Sequence, residues 1–364
     1  MVRFLCFAFV IALLFSLPAF AAPASSSVVA SVAQDINYAS GSGTEITLGG
    51  VKGRYWAPAP STDKQPIILF SHAWMGCPDQ SPFLTEALAQ DGYWVFAPEH
   101  ADHSCIADTE KAKLFPYDAQ KWNDKTFADR RDDMLAFWKA LQSDPQFKDK
   151  IDFTKLGLAG HMLGGYDVMA LAGAWPSWKM PGVKAVLAIT PYAYALNIQN
   201  MVGKIDAPIM FQTGTNDKVE SPSVLLPKDG SYLLANAPKY LVNFRDAGYL
   251  TWVSTRSDFY SSILYYTLAF FDHYVKGQPP FREMVQLRPN VQEIKYESEL
   301  GKGDLVLVPN GNAPAATTPT TTTMTPPPVE QPAPTATQEA MPVAASQPAA
   351  AKPSLWDRIK AHFE

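Results

Sequence analysis

Two glycines four residues apart flank a methionine in Gly160-His161-Met162-Leu163-Gly164-Gly165, within a chain of 364 residues. A thioether has no proton to lose and forms no hydrolysable acyl intermediate, so Met162 is no nucleophile for acyl transfer. No Gly-x-Ser-x-Gly or Gly-x-Cys-x-Gly occurs in the chain to replace it. Ser71 precedes His72, but the sequence assigns that pair no base-orienting partner. His72, His100, His103 and His161, with Glu99, Asp102, Cys105 and Asp217, supply nitrogen and oxygen donors of the kind metals use. Their densest run, Glu99-His100-Ala101-Asp102-His103, lacks a spacing as specific as His-Glu-x-x-His, and no metal or other cofactor is assigned.

These residues need a frame. Pro66 to Phe70 is a continuous apolar run, as expected of a strand buried on both faces of a parallel sheet. Further strands are expected at Tyr93–Ala97, Leu156–Ala159, Val183–Ile189, Ala207–Thr213 and Lys239–Phe244, with one or two edge strands over Ile46–Trp56. Helices are expected at Phe83–Gln90, Phe127–Leu141, Gly164–Ala174 and Asp258–Val275. The second of these carries an apolar stripe opposite a face rich in Arg and Asp. Alternation of this kind requires right-handed crossovers and a doubly wound, mostly parallel α/β sheet. In such a sheet ligands sit beyond the carboxyl ends of the strands, where the chemistry-bearing residues above fall.

The strand-loop Phe70-Ser71-His72-Ala73-Trp74-Met75-Gly76, the run Gly92 to Pro98, and Gly160 to Gly165 carry a resemblance. So do Asp217 after a Thr-Gly-Thr turn, Gly248-Tyr249, and Phe270 to Tyr274. Over roughly residues 45–280 the chain resembles the α/β-hydrolases of the dienelactone hydrolase and platelet-activating-factor acetylhydrolase type. That resemblance implies a Ser-Asp-His triad with the serine on a strained strand-to-helix elbow. Here Met162 stands at the serine position and Tyr249 at the histidine position, while Asp217 keeps the acid. The elbow glycines Gly160 and Gly164 are kept. The implied oxyanion hole would use backbone N–H groups of Leu163 and of Ala73 or Trp74. A neutral phenol, with a reference pKa near 10, is a poor base at pH 7. The expectation is therefore a pseudo-hydrolase that binds a small apolar or ester-like ligand, or a protein partner. The alternatives are an active carboxylic-ester hydrolase with a non-standard or metal-assisted site, and an envelope interaction protein acting through its tail. Trp74, Met75, Met162, Tyr166, Tyr192, Tyr194, Tyr249 and Trp252 are expected to gather around the elbow. In this family's sheet the strands before Cys77 and Cys105 are adjacent, which implies a disulfide between these two residues.

Both ends of the chain read differently from its middle. Arg3, an apolar run from Phe4 to Phe15 and the small residues before Ala21 have the pattern of a signal peptide over 1–21. The expectation is an exported protein, periplasmic or secreted, with no transmembrane segment in the mature chain. The α/β domain is expected over 22–308 and a disordered linker over 309–352, since 11 of the 31 prolines fall between Pro309 and Pro353. Residues 353–364 form an expected short amphipathic helix: Ser354 and Asp357 have capping-box spacing, and Leu355, Ile359 and Phe363 share one face. The net charge of −5, with no basic cluster, argues against a nucleic-acid partner.

Overall fold

The computed structural model describes residues 43–102, 118–218, 220–253, 257–279, 283–297 and 305–307. The expected signal peptide, His103, Cys105, and the expected linker and helix beyond 308 lie outside them. Among the described residues ten strands form one sheet. The chain opens with β1 (Thr44–Leu48), β2 (Val51–Trp56) and β3 (Gln65–Ser71), then α1 (Pro82–Gln90) and β4 (Trp94–Pro98). It continues through α2 (Ala128–Ser143), β5 (Ile151–His161), α3 (Leu163–Met169) and β6 (Val183–Ile189). Next come α4 (Tyr194–Ile198), β7 (Ile209–Gly214), α5 (Ser221–Leu225), α6 (Ser231–Leu234) and β8 (Lys239–Phe244). The last elements are α7 (Tyr260–Phe271), β9 (Val291–Glu297) and β10 (Leu305–Leu307).

The strand order is β1-β2-β4-β3-β5-β6-β7-β8-β9-β10. The six strands from β4 to β8 run parallel, and antiparallel pairs flank them on both sides. The fold is thus a mixed α/β architecture with a mostly parallel sheet. β3 and β4 are buried almost end to end, as their unbroken apolar runs require. The first edge resolves into two strands, because Gly49 and Gly50 both take positive φ (60° and 82°) in a two-residue hairpin turn.

Several features depart from the sequence expectation, among them β10 and the short helices α4, α5 and α6. β9 has no expected counterpart: only Val291 and Ile294 are buried along it, a spacing of three instead of the strand period of two. The register shift between Asn243 and Phe244 of β8, its partner, accounts for the broken pattern. Another departure is in α2. Arg130 belongs to the charged face expected to meet solvent, yet it is 1% exposed. Among the described residues no helix is long and apolar enough to cross a membrane.

Candidate functional site at the strand-to-helix elbow

β5 ends at His161 and α3 starts at Leu163, so Met162 alone makes the turn between them. It does so at φ 52°, ψ −112°, a conformation that costs free energy in a side-chain-bearing residue. Backbone hydrogen bonds hold it there. Met162 N donates to Ile189 O at 3.0 Å, and Met162 O accepts from Tyr166 N at 3.2 Å and from Tyr192 N at 3.0 Å. The glycines make the close approach feasible. A Cβ on Gly160 would lie 2.1 Å from Gly164 O, and one on Gly164 would lie 2.0 Å from Ser71 O. A strained strand-to-helix turn is therefore present, with a thioether at its apex.

His161, just before the apex, connects two loops. Gln80 Nε2 donates to His161 Nδ1 at 3.0 Å, and His161 Nε2 donates to Tyr249 O at 2.7 Å. These bonds fix the neutral Nε2–H tautomer, and burial lowers the imidazole pKa to about 4. Gln80 Oε1 in turn accepts from Ala73 N at 2.9 Å. Of the amides expected in an oxyanion hole, Ala73's is therefore engaged by Gln80. Gln80 was invisible to sequence reasoning, because nothing in its neighbours marks a side chain that spans two loops.

The expected acid, Asp217, follows β7. Its carboxylate accepts from Glu220 N at 3.0 Å, Ser221 N at 2.8 Å and Ser221 Oγ at 2.8 Å. Burial, and then the Asp217 charge, push the Glu220 carboxyl well above its ordinary range. Sequence reasoning passed over Glu220. Tyr249 stands near both acids: burial first, then Asp217 and Glu220, raise its phenol pKa above 10. The phenolate that could act as a base is thus scarcer at neutral pH than for a free tyrosine.

The expected aromatic gathering is only partial. Tyr192 lies against the Met162 backbone and stacks near Trp122, with ring centroids 4.9 Å apart. Tyr166 and Trp252 are fully buried core residues: Tyr166 accepts from Trp175 Nε1 at 2.7 Å, and Trp252 donates to Gln212 at 3.0 Å. Tyr194 is 41% exposed. Trp122 is the aromatic residue that sequence reasoning missed.

A second polar cluster lies behind the first loop. Ser71 Oγ is 3.1 Å from His100 Nε2, and His100 Nδ1 is 3.1 Å from Asp133 Oδ2. This supplies the partners for Ser71 that the sequence did not assign. The order Ser-His-Asp is that of a hydrolytic triad, but Ser71 ends a β-strand, is fully buried, and donates its proton to Asp167 Oδ2 at 2.8 Å. A serine whose proton is directed at a carboxylate is not poised to surrender it to His100. Arg130 closes the cluster. It pairs with Asp167 at 2.6 Å and Asp102 at 3.1 Å, and it donates to His72 O at 3.0 Å and Ala73 O at 3.1 Å. The cluster ties β3, β4, α2 and α3 together and reads as a structural brace. Among the described residues no three His, Cys, Asp or Glu side chains converge as metal ligands. Cys77 is buried, and its expected partner Cys105 lies outside the described residues.

With this geometry in hand, the chain can be compared with known protein families. Residues 52–224 fit the family model described as the dienelactone hydrolase family, within an α/β-hydrolase-type fold. That span runs from β2 through most of α5 and includes the elbow and Asp217. No curated protein matches the chain.

Proposed function

We propose that this chain, with a dienelactone hydrolase-family region over residues 52–224, is a pseudo-hydrolase. It binds a small apolar or ester-like ligand, or a protein partner, and does not hydrolyse through its elbow. The observation that carries the reading is Met162 at φ 52°, ψ −112°: the strained turn persists without a nucleophile to present. Three further features support it. Tyr249 holds its proton more tightly than a free phenol, His161 donates its only N–H to Tyr249 O, and Asp217 is occupied by the Glu220–Ser221 segment. The signal-peptide pattern supports export of the mature chain to the periplasm or beyond, where Cys77 and Cys105 would pair.

The test is turnover of short-chain aryl esters by purified protein, with labelling by a fluorophosphonate probe in parallel. Neither turnover above background nor a labelled serine is expected. Ser71 provides the internal control, because its contacts with His100 favour the active-hydrolase alternative. Turnover that disappears in Ser71→Ala would replace the pseudo-hydrolase reading with that alternative. Turnover that persists in Ser71→Ala and copurifies through independent columns would reject it through some other residue.

A further inference from the structure

The described residues leave four large apolar side chains exposed: Tyr194 (41%), Ile198 (40%), Leu226 (37%) and Leu233 (45%). They are not scattered. Tyr194 and Ile198 lie on α4, Leu226 follows α5, and Leu233 lies on α6. These three short helices are held as one unit: Asn197 Nδ2 donates to Ser223 O at 2.6 Å, and Ser231 Oγ donates to Asn197 Oδ1 at 2.7 Å. Between α5, α6 and the sheet runs an open groove of about 160 Å³, lined by Leu226, Pro227, Tyr232, Leu233, Leu241 and Lys295 among others. A cavity of about 150 Å³ admits a benzene-sized ring, so the groove has room for one phenyl side chain. Exposed apolar patches on this pattern mark interaction sites.

The sheet register identifies what stands nearest. Lys295, a groove residue on β9, pairs with Leu241 of β8 on one side and with Val306 of β10 on the other. The chain that follows Leu307 therefore sets out about one strand spacing, ~4.8 Å, from the groove wall. Within residues 308–364, large apolar side chains concentrate in one place: Leu355, Trp356, Ile359 and Phe363. The 46 residues 308–353 separate that cluster from β10. A coil of this length has a root-mean-square span of about 35–40 Å, ample to return to the groove. Tethering of this kind supplies an effective concentration on the order of 1 mM.

We propose that the segment 354–364 docks in cis on this groove, with Leu355, Ile359 and Phe363 covering Leu226 and Leu233. The inference is independent of whether the elbow is catalytic.

Hydrogen–deuterium exchange on the full chain tests it reciprocally. Backbone amides in 354–364 are expected to exchange about tenfold more slowly than unstructured amides, which at 1 mM effective concentration corresponds to an intrinsic Kd of about 0.1 mM. The variant Leu233→Glu is expected to return 354–364 to within about twofold of unstructured exchange. Ile359→Glu is expected to speed exchange in the peptide spanning 222–234. A side chain with only a local role would not transmit its loss to the other segment. Ile359→Glu also decides the matter alone should Leu233→Glu fail to fold, because its readout lies in α5 and α6, which that substitution leaves intact. Protection that grows with protein concentration would assign the groove to a second copy and overturn docking in cis. Absence of protection in 354–364, or protection indifferent to Leu233→Glu in a folded variant, would overturn it as well.

Discussion

At the scale of single residues, the proposed pseudo-hydrolase reading rests on two side chains, Met162 and Tyr249, set on a formed elbow backbone. The Met162 turn, its bonds to Ile189, Tyr166 and Tyr192, and Asp217 beyond β7 are all in place. The double substitution Met162→Ser and Tyr249→His should therefore raise ester hydrolysis roughly tenfold to thousandfold over the parent, and neither single change should do so. The inserted side chains are smaller than those removed, so folding should survive. A folded but inert double variant would show that the Ala73–Gln80 and His161–Tyr249 bonds have closed the site for good. A second residue-scale prediction concerns Asp91. Burial raises its pKa to about 7, with Lys276 opposing that rise and Asp272 adding to it. Because the folded pKa lies above the unfolded value of about 3.8, the group's contribution is complete below about pH 4. It is lost as pH rises toward 7. Asp91→Asn removes the titration, so the melting temperature of the variant minus that of the parent should climb between pH 4.5 and 7.5. A flat or falling difference would refute the assignment.

The elements depend on close backbone approaches more than on side-chain chemistry. α3 crosses the end of β3 so tightly that a Cβ on Gly164 would lie 2.0 Å from Ser71 O and 2.5 Å from its carbonyl carbon. Both are backbone atoms of well-packed elements and have no rotamer to give way. Gly164→Ala should destabilise the domain by at least about 3 kcal/mol, the upper end of ordinary overpacking. Denaturant titration measures this directly, and a loss under 1 kcal/mol would mean that the elbow can relax. The brace behind the elbow belongs to the same scale. Arg130 reaches from α2 to the loops after β3 and β4 and to Asp167 on α3, so the elements around the turn share one buried cation. Removal of that cation would leave Asp102 and Asp167 as buried unpaired charges, which is costlier than never having buried the pair.

For the whole molecule, Cys77 and Cys105 link the proposed compartment to the fold. Non-reducing peptide mapping of protein recovered from its native compartment should yield one Cys77–Cys105 cross-link. It would close a loop of roughly 29 residues and contribute on the order of 3 kcal/mol. Recovery of two alkylatable thiols would remove both the link and the argument for an oxidising compartment. What the sequence determined by itself is what repeats locally. The apolar runs at 66–70, 93–97 and 183–189 specify buried parallel strands, and alternation with amphipathic helices specifies the doubly wound sheet. Gly160 and Gly164 around Met162 made the elbow legible, because the glycine requirement is local to the turn. The tertiary structure decided whatever depends on neighbours distant in sequence. β9 exists because β8 offers it an edge, although its own apolar pattern is too broken to announce a strand. Arg130 looks like a solvent-facing helix residue until Asp102 and Asp167, 28 positions before and 37 after it, converge on it. Ser71, His100 and Asp133 form their chain only when β3, β4 and α2 meet. A buried polar group is stable only with its partners in place, and the partners are set by packing across the sheet, which no local window of sequence contains.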